Sequence, residues 1–363
     1  MLFYKVINLY YTDFSLNLVY KFKNTKAFLL LNVRYFTFDI ATPPTKRLIQ
    51  IFTQKGESIS VLNYKLSTFL ELCETKNYTK TAEKLHMTQP AVTQHIKYLE
   101  QYYGTKLFYY DEKKRLHLTD QGRLLRSYAQ SVQADSEIIK NRLSVPINEP
   151  DVFKLGSLTG FGETFAAKVM GKYLDKYPEK KVSIYMGESD DLLVQLANGR
   201  IQACIVDTYC PPEEYECHEL FESETICICA PTHPLAGKTV DFKELNPYRL
   251  IFREEGSKSY LNLRSILHGY NQDIHNFASF VEVGTINTIH NLVIENVGLS
   301  FVYKFVVQKK LDRGVMSQIF INDFKNKTFI NYVWMKNSFF AEKNREFLDI
   351  CKHYLSSLGD LNL

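Results

Sequence analysis

The chain has 363 residues, of which 45% are hydrophobic and 23% are charged, and its formal net charge is +4. This length is enough for two or three domains, and the composition is that of a soluble globular protein, which argues against a disordered chain. Residues 1–61 carry 8 Lys+Arg and 3 Asp+Glu, residues 62–145 carry 13 and 9, and residues 146–363 carry 23 and 28. The basic excess lies in the N-terminal part, which indicates contact with a polyanion there and not in the acidic C-terminal part.

The cysteine pattern and the hydropathy indicate the cellular compartment in which the protein is expected. Cysteines at positions 73, 204, 210, 217, 227, 229 and 351 form no C-x-x-C pair and no zinc-finger spacing with histidine. We interpret them as free thiols without a bound metal, and Cys227 and Cys229 are expected on one buried face of a strand. No apolar run approaches the roughly 18–20 residues of a membrane span, and the start lacks the pattern of an export signal. A cytoplasmic protein with no membrane partner is expected.

Residues 1–60 form an atypical extension in which neither a period of 2 nor one of 3.6 residues persists. The preferred hypothesis is that this segment is not translated and that the protein starts at Val61, whose codon can be GTG. Lys55-Gly56-Glu57 can be encoded by a purine-rich ribosome-binding sequence, and the next three residues supply the spacer. A genuine strand-rich extension is the alternative.

Two helices that meet abruptly are predicted in residues 61–118. Leu66, Phe69, Leu70 and Cys73 make an apolar stripe on a first helix. The stretch TKTAEKLHMTQPAVTQHIKYLEQYYG (residues 79–104) then predicts a short helix capped by Thr79, a tight turn, and a longer helix capped by Thr88 with Pro90 in its first turn.

The longer helix has one apolar and one polar side. Val92, Ile96 and Leu99 share one side of a 3.6-residue period, and the opposite side carries amides, a hydroxyl and a cation. Such a surface suits base edges and phosphates, so a helix-turn-helix with this helix as the reader is predicted. The alternative is an ordinary helical hairpin with a polar outer face.

A two-stranded wing and a long helix follow. LFYYDEKKRLHLT alternates as a wing would, with Lys113, Lys114 and Arg115 near its tip as a phosphate clamp. Residues 119–145 predict a linker helix that starts at Thr119-Asp120 and carries a short coiled-coil seam through which two chains pair. The alternative is a helix packed on its own domain. The predicted seam residues are Leu125, Tyr128, Val132 and Ile139.

SVPINEP (residues 144–150) ends the linker helix and predicts a hinge. From residue 151 strands and helices alternate, as in VFKLGSL, KKVSIYMG, DDLLVQLANGR and IQACIVD, which predicts an α/β domain of parallel strands covered by helices. Since roughly 210 residues exceed one compact unit of the usual size, two linked subdomains with a cleft between them are predicted.

These residues resemble the LysR-type transcriptional regulators from about Leu62 to the C-terminus. The resemblance is carried by FLELCETKNYTKTAEKLHMTQPAVTQHIKYLEQYYGTKLF, LTDQG, LGSLTGFGETF, REEGSKS and NVGLSFV, and the family begins near Val61. It implies an α+β multidomain fold: an N-terminal winged helix-turn-helix, a dimerising linker helix, and a periplasmic-binding-protein-like effector domain. The two subdomains of that domain would be about 151–227 with 331–363, and 228–330.

The resemblance also implies partners. Homodimers would pair into tetramers, bind an imperfect dyad of promoter DNA upstream of target genes, and act on RNA polymerase, with a small-molecule effector in the cleft and no other cofactor. The family's base-contacting positions fall on Gln89, Pro90, Thr93, Gln94 and Lys97. Together with the capping residues and the wing cations, the predicted DNA-binding residues are Thr79, Thr88, Gln89, Pro90, Thr93, Gln94, Lys97, Lys113, Lys114 and Arg115. Tyr110 stands where an arginine is common in the family, and the wing is one residue longer, so phosphate contact there must come from the three cations at the tip.

In the effector cleft, the family pattern falls on hydroxyl-bearing residues and one acid. Leu158 and Gly160 stand at two positions that are commonly Ser or Thr, so the usual polar site is partly stripped. Hydroxyls, main-chain N–H groups and Lys258 favour a carboxylate effector, although Asp207 argues against a purely anionic one and would attract an ammonium group or an arginine. Simple capping or strand-end duty is the alternative role of each of these residues. The predicted effector-binding residues are Ser157, Thr159, Asp207, Ser257, Ser259 and Thr285.

Two other classes of function compete with a regulator. No G-x-S-x-G, G-x-x-x-x-G-K-[ST], G-x-G-x-x-G or H-E-x-x-H motif occurs, so no catalytic residues are predicted and an enzyme is disfavoured. A pure solute-binding module is opposed by the DNA-reading pattern and the missing export signal. Ligand turnover would favour the enzyme, and ligand binding without DNA affinity would favour the solute-binding module.

Overall fold

The computed structural model describes the backbone of residues 5–12, 15–21 and 28–33, and all atoms of residues 64–144 and 152–358. In the first part, strands β1 (Lys5–Thr12), β2 (Ser15–Lys21) and β3 (Phe28–Val33) form an antiparallel sheet. Three strands agree with the strand-rich alternative in secondary structure, while the start at Val61 concerns translation and stays a prediction. Val61 and the hinge residues 145–150 lie outside the described residues.

Three helices and a hairpin form the unit that follows. They are α1 (Tyr64–Thr75), α2 (Tyr78–Lys84), α3 (Gln89–Tyr103), β4 (Phe108–Tyr110) and β5 (Leu116–Leu118). The predicted stripe of α1 is confirmed, with Phe69 and Cys73 buried and Leu66 and Leu70 half-buried against the same core. Ile96 and Leu99 of α3 join that core, so the buried side of the longer helix is also confirmed.

A 24-residue helix, α4 (Asp120–Leu143), leads away from the wing. Thr119 caps it by accepting a hydrogen bond from the Gly122 N–H at 3.0 Å, as its position in the sequence predicts. Gly122 is required by a close approach, because a Cβ at this position would lie 2.2 Å from the Leu107 carbonyl oxygen. The wing and the helix start are thereby held together.

The remaining elements are strands and helices. In chain order they are β6 (Val152–Leu158), α5 (Thr159–Lys176), β7 (Lys181–Gly187), α6 (Ser189–Ala197), β8 (Ala203–Val206), β9 (Tyr215–Cys229), β10 (Thr239–Val240), β11 (Arg249–Arg253), α7 (Lys258–Gly269), β12 (Ser279–Val283), α8 (Ile286–Ile294), β13 (Ser300–Tyr303), α9 (Lys304–Asp312), β14 (Ser317–Ile321), β15 (Lys327–Met335) and α10 (Ala341–Ser357). They alternate at first, whereas β8 to β11 and then β14 and β15 follow one another without an α-helix between them.

The sheets are mixed, so the prediction of parallel strands holds only in part. Strand β6 is parallel to β7 and β8, and β11 is parallel to β12. Strand β15 is antiparallel to β8 and β9, because β9 carries the chain out of the first subdomain and β15 brings it back. Strands β13 and β14 are likewise antiparallel to β9.

Strand β9 belongs to both subdomains. Residues 215–224 pair with β15, while residues 225–229 pair with β13 and β14, a change of partner near the predicted boundary after residue 227. One apolar core lies around Trp334 and Tyr332, and two further cores lie on the other side of this change. Cys227 and Cys229 are buried in one of these cores, as predicted from their alternation. Among the described helices, none is both long and apolar enough to span a membrane.

Candidate nucleic-acid interface and ligand cleft

The turn between α2 and α3 is built from capping side chains. Thr88 caps α3 by accepting a hydrogen bond from the Ala91 N–H at 3.4 Å, and Pro90 lies in the first turn, as predicted. The prediction that Thr79 caps α2 is wrong, because the helix begins at Tyr78, two residues earlier than that cap would place it, and Asn77 accepts the hydrogen bond from Lys80 N–H at 3.0 Å. Two cap-forming residues two positions apart produce the same sequence pattern.

The outer side of α3 is polar and exposed. Gln89, Pro90, Gln94 and Lys97 are exposed, and Thr93 is half-buried. Gln89 donates to the Thr93 hydroxyl at 3.2 Å, so these two side chains are partly fixed by each other. Gln94 and Lys97 make no side-chain hydrogen bond or ion pair within residues 64–144 and 152–358, which leaves an amide and an ammonium group facing outward.

At the tip of the wing, Lys113, Lys114 and Arg115 are all exposed, as predicted. They differ in their partners, because the Arg115 guanidinium lies 2.8 Å from an Asp111 carboxylate oxygen. The Arg115 N–H also donates to Asp111, and this hydrogen bond is the largest cause that lowers the pKa of Asp111 to about 2. Arg115 is therefore partly neutralised, and Lys113 and Lys114 are the wing cations without such a partner among the described residues.

The linker helix α4 has two faces. The inner face packs on the C-terminal domain: Ser131 donates to the Lys336 carbonyl, and Asp135 accepts hydrogen bonds from Ser338 Oγ and Phe339 N–H, both at 2.7 Å. Gly199 at φ +65° lies so close to this face that a Cβ would be 2.2 Å from the Ala134 carbonyl oxygen. One face of α4 thus fits the alternative of a helix packed on its own domain.

The outer face of α4 is apolar, and it corrects the predicted seam. Leu125 does not belong to it, because this side chain is buried in the core beneath the wing. Val132 is half-buried, while Tyr128 and Ile139 are 53% and 41% exposed. Leu124 and Leu143 are also exposed on the same helix, and the heptad pattern did not predict them as part of the seam. A row of apolar side chains therefore remains on the surface of α4.

Arg126, on α4, joins three parts of the chain. One guanidinium nitrogen lies 2.8 Å from Glu74 of α1, and another lies 3.0 Å from Glu214, just before β9. We call Glu74, Arg126 and Glu214 the Arg126 junction. Since Arg126 is only 27% exposed, its ion pairs are partly shielded from water.

A polar cleft lies where the two subdomains of the C-terminal domain meet. Three of the predicted residues border it, namely Thr159, Asp207 and Ser259. Leu158 and Gly160, the two positions that lack the usual hydroxyl, also border it. The remaining residues of the border are Gly187, Glu188, Ser189, Arg253, Lys258, Ile286 and Tyr303.

The other three predicted cleft residues have structural duties. Ser157 is 1% exposed and donates to the Leu158 carbonyl. Ser257 caps α7 by accepting from the Tyr260 N–H at 3.2 Å, and Thr285 caps α8 by accepting from the Thr288 N–H at 3.1 Å. Ser257 and Thr285 therefore act as helix caps, and Ser157 bonds to backbone at the end of β6, which agrees with the alternative of capping or strand-end duty; ligand contact by these three residues stays a prediction.

Among the described residues, Asp207 is held by hydroxyl groups and not by an arginine. Ser189 donates to one carboxylate oxygen at 2.7 Å, and Tyr303 donates to the other at 2.8 Å. Burial, together with the Asp207 charge, raises the pKa of Tyr303 well above its ordinary value, so this hydroxyl stays protonated. Because Asp207 follows β8 and Tyr303 ends β13, their hydrogen bond connects the two subdomains across the cleft.

A second connection across the cleft involves two residues that were not predicted, Glu188 and Arg253. Glu188 accepts a hydrogen bond from the Lys258 N–H at 3.2 Å, at the start of α7, and its other oxygen lies 3.7 Å from the Arg253 guanidinium. Arg253 also binds Glu254 through two nitrogens at 2.7 and 2.8 Å. Arg253 is the first letter of the quoted REEGSKS, so a search for cations beside the hydroxyls would have found it.

Known protein families match both the helix-turn-helix region and the C-terminal domain. Residues 64–123 match the family described as bacterial regulatory helix-turn-helix protein, lysR family, and residues 149–356 match the LysR substrate binding domain. The HTH-type transcriptional regulator CysL of Bacillus subtilis is 28% identical over 307 residues, which cover 81% of this chain and 98% of the relative. The malolactic fermentation system transcriptional activator of Lactococcus lactis is 26% identical, covering 79% and 97%.

Among solved structures, the regulatory domain of Synechocystis PCC6803 CcmR in complex with 2-PG has the same fold. It aligns with a TM-score of 0.51 and 19% identity, covering 58% of this chain and 98% of that domain.

Proposed function

Because the chain belongs to the LysR-type family of transcriptional regulators, which are not enzymes, we propose that it binds an imperfect dyad of double-stranded promoter DNA upstream of its target genes. The observation that carries the proposal is the outer side of α3, where polar side chains stand exposed directly after a capped helix start. A helix of this kind fits the major groove, where amides and cations distinguish base pairs. The protein then acts in the cytoplasm, with RNA polymerase as the partner that reads out binding.

Two kinds of DNA contact follow from the exposed side chains. Gln94 and Lys97, which point outward from α3, would read base edges, with Gln89, Pro90 and Thr93 beside them at the helix start. Lys113 and Lys114 at the wing tip would bind phosphates and carry no sequence preference. Arg115 contributes less, because its charge is already paired with Asp111.

We further propose that two chains pair through the outer face of α4. Leu124, Tyr128, Ile139 and Leu143 are exposed there, whereas Ser131 and Asp135 of the same helix are hydrogen-bonded to the chain's own C-terminal domain. An apolar row on a long helix favours association with a second copy, since pairing removes it from water. Two such dimers would form a tetramer and span both halves of the dyad.

For the cleft, we propose an effector that carries a carboxylate. The Lys258 N–H and the Arg253 guanidinium already hold the carboxylate of Glu188. A helix start beside a guanidinium favours a negative charge. An effector carboxylate would displace Glu188, while Thr159 and Ser259 supply hydroxyls to the rest of the molecule. Loss of the Glu188 connection would change how the two subdomains meet.

We also propose that translation starts at Val61. In support, the relatives align over about four fifths of this chain but over nearly all of their own lengths, and the helix-turn-helix match begins at residue 64. N-terminal peptides of protein isolated from the native cell should begin at residue 61 with the initiator methionine. A peptide that contains any of residues 1–55 would contradict this start.

The first experiment is anisotropy of labelled DNA from the chain's own upstream intergenic region, compared with scrambled DNA over a salt series. Preference for the native fragment by about a thousandfold at physiological salt is expected of a sequence-reading regulator. Equal and steeply salt-dependent binding to both fragments, by the protein from Val61 and by the full chain, would argue against a site in this region.

A further inference from the structure

A second cavity adjoins the polar cleft, and we call it the inner cavity. The two spaces share Arg253, Ser259, Ile286 and Tyr303 in their linings, so one molecule can extend from the cleft into the inner cavity. The rest of the lining comes from strands β9, β11 and β13 and from helices α7 and α8. The cleft lies between the two subdomains, whereas the inner cavity belongs almost wholly to the second one.

The walls of the inner cavity are apolar. Phe252 of β11 and Phe301 and Val302 of β13 form one part of them, and Leu263 of α7 and Ile289 of α8 form another. With its opening to solvent, the space between these walls is about 520 Å³, within the range of roughly 300–1,000 Å³ that is usual for small-molecule sites. An apolar body of a few carbons would therefore be removed from water here.

Thr225 places an unused hydroxyl in this apolar lining. The residue is only 5% exposed, and its hydroxyl oxygen has no hydrogen-bond partner within residues 64–144 and 152–358. Its backbone is satisfied, because the Thr225 N–H donates to the Asn326 carbonyl at 2.9 Å. Burial of a hydroxyl without a hydrogen bond is unfavourable, so a molecule that enters the cavity and binds this group gains a contact without displacing one.

The other polar groups of the lining restrict the charge of that molecule. Asn262 of α7 is half-buried, and its amide makes no side-chain hydrogen bond within the described ranges. Of the described residues that line the inner cavity, only Arg253 is charged, and it lies on the border shared with the cleft. Beyond this border, a neutral hydrogen-bonding group fits the cavity and a second carboxylate does not.

We propose that the inner cavity selects the uncharged end of the effector, and that the effector is a hydroxy monocarboxylic acid. Its carboxylate binds at Arg253 and the start of α7, its apolar carbons contact the walls, and its hydroxyl hydrogen-bonds to Thr225. This inference rests on the proposed function, because the carboxylate occupies the site that was proposed for the cleft.

The position of Thr225 explains how such a ligand would influence the two subdomains. Glu224 is the last residue of β9 that pairs with β15, and Thr225 is the first that pairs with β13, where it lies opposite Tyr303. Tyr303 also lines the cavity and donates to Asp207 across the cleft. A hydroxyl bound to Thr225 therefore contacts β9 at the point where this strand leaves one subdomain for the other.

The test is calorimetric titration of the full chain with straight-chain acids of about four to eight carbons, a span that suits a site of this size. Each ω-hydroxy acid is compared with the unsubstituted acid and with the dicarboxylic acid of the same length. At the length that reaches Thr225, the hydroxy acid should bind about fivefold more tightly than the unsubstituted acid, the factor that one neutral hydrogen bond gives. The dicarboxylic acid should bind more weakly than either, because its second carboxylate would meet apolar walls.

Thr225→Val replaces the hydroxyl with a methyl group and should abolish the preference, so that the hydroxy acid and the unsubstituted acid bind with similar affinity. Because the hydroxyl has no partner among the described residues, the variant should unfold at the same or a higher urea concentration than the unmodified chain. Thr239→Val is the matched control, since Thr239 is exposed on β10 and does not line the cavity, and it should keep the preference.

Inorganic sulfate tests the charged site alone and so separates the two proposals. Sulfate binding without a preference for the hydroxy acid at any length overturns the inner-cavity inference and leaves the proposed carboxylate site in place. A preference that persists in Thr225→Val also overturns the inference, and so does a loss of stability in this variant, which would show that the hydroxyl already has a partner. If neither sulfate nor any of the acids binds, both proposals fail.

Discussion

The reader helix and the ligand cleft use polar side chains in opposite ways. On α3, Gln94 and Lys97 face outward and make no side-chain hydrogen bond or ion pair within the described ranges. In the cleft, Asp207 is satisfied by two hydroxyls, and Glu188 holds Arg253 and a helix N–H. The helix is ready for a partner as it stands, whereas a ligand of the cleft must replace contacts that the chain already makes with itself.

This difference predicts different energetics. Binding at α3 adds contacts, so removal of a side chain should weaken or blur recognition. Binding in the cleft exchanges contacts, so removal of an internal partner should strengthen binding of a suitable ligand. Five substitutions examine this contrast, beginning with the outward surface of α4, where the expected effect is largest.

Ile139→Glu should prevent dimers from forming. Ile139 is 41% exposed on the outer face of α4, and an unpaired carboxylate buried between two apolar helices costs several kcal/mol. Light scattering would give the mass in solution. Glu137→Gln, at a neighbouring position of the same helix, is the control and should leave the mass unchanged. If Ile139→Glu still dimerises, the interface does not lie on this face of α4.

Gln94→Ala should relax base preference. A bidentate amide contact contributes about 1–3 kcal/mol of discrimination against the wrong base, so the ratio of native to scrambled affinity should fall by roughly 10–100-fold. Anisotropy on both fragments measures the ratio. Gln101→Ala, exposed near the other end of α3, provides the matched amide deletion and should change the ratio little. Equal losses of base discrimination in Gln94→Ala and Gln101→Ala would contradict base reading by the first turns of α3.

Tyr303→Phe should destabilise the C-terminal domain by about 1–2 kcal/mol, because a carboxylate oxygen of Asp207 loses its donor in a half-buried cleft. Urea unfolding of the full chain would measure it. Tyr209→Phe removes a hydroxyl from a ring that is 78% exposed and should be neutral. Similar urea midpoints for Tyr303→Phe and Tyr209→Phe would mean that the hydrogen bond from Tyr303 to Asp207 does not stabilise the C-terminal domain.

Glu188→Gln should raise the affinity of the cleft for anions by about fivefold, since the Lys258 N–H and Arg253 lose a charged competitor. Inorganic sulfate is the probe, followed by thermal shift over a concentration series. Glu255→Gln is the control, because it removes the same charge near the same helix start at a residue that does not bridge the cleft. It should therefore not raise sulfate affinity, unless the loss of any negative charge near this helix start is sufficient. Unchanged sulfate affinity in Glu188→Gln would show that Glu188 does not compete.

Lys113→Ala has the smallest expected effect. It should weaken binding to native and scrambled DNA alike and reduce the slope of log affinity against log salt by about one. Arg115→Ala should reduce the slope less, because Asp111 already pairs with that guanidinium. A change of base preference in Lys113→Ala would contradict the assignment of the wing to phosphate contact.

The sequence predicted the helical part well because its signals are local. Val92, Ile96 and Leu99 lie within two turns of one helix, and the capping residue Thr88 precedes them directly. The errors are local too. Asn77 and Thr79 are both residue types that cap helices, and the heptad that includes Leu125 does not show that this side chain is buried in the core beneath the wing. Periodicity gives the face of a helix, and tertiary packing decides which residues at its edge are buried.

The cleft was predicted less well because its partners are distant in sequence. Ser157, Ser257 and Thr285 resemble ligand-binding hydroxyls, yet each is used by backbone close to it. The partners that define Asp207 include Tyr303, 96 residues away, and Glu188 meets Lys258 from 70 residues away. No spacing pattern contains such pairs, whereas the fold brings them together where β8, β11 and β13 end.

The Arg126 junction sets a rule for building chimeric sensors from this chain. A fusion made in residues 145–150 would keep Arg126 with Glu74 but would separate it from Glu214, which lies in the other half. The recombinant protein would keep its reader and its cleft and lose one of the ion pairs between them. A graft that transfers α4 together with the C-terminal half would keep Glu214 and would need an acid supplied at the position of Glu74.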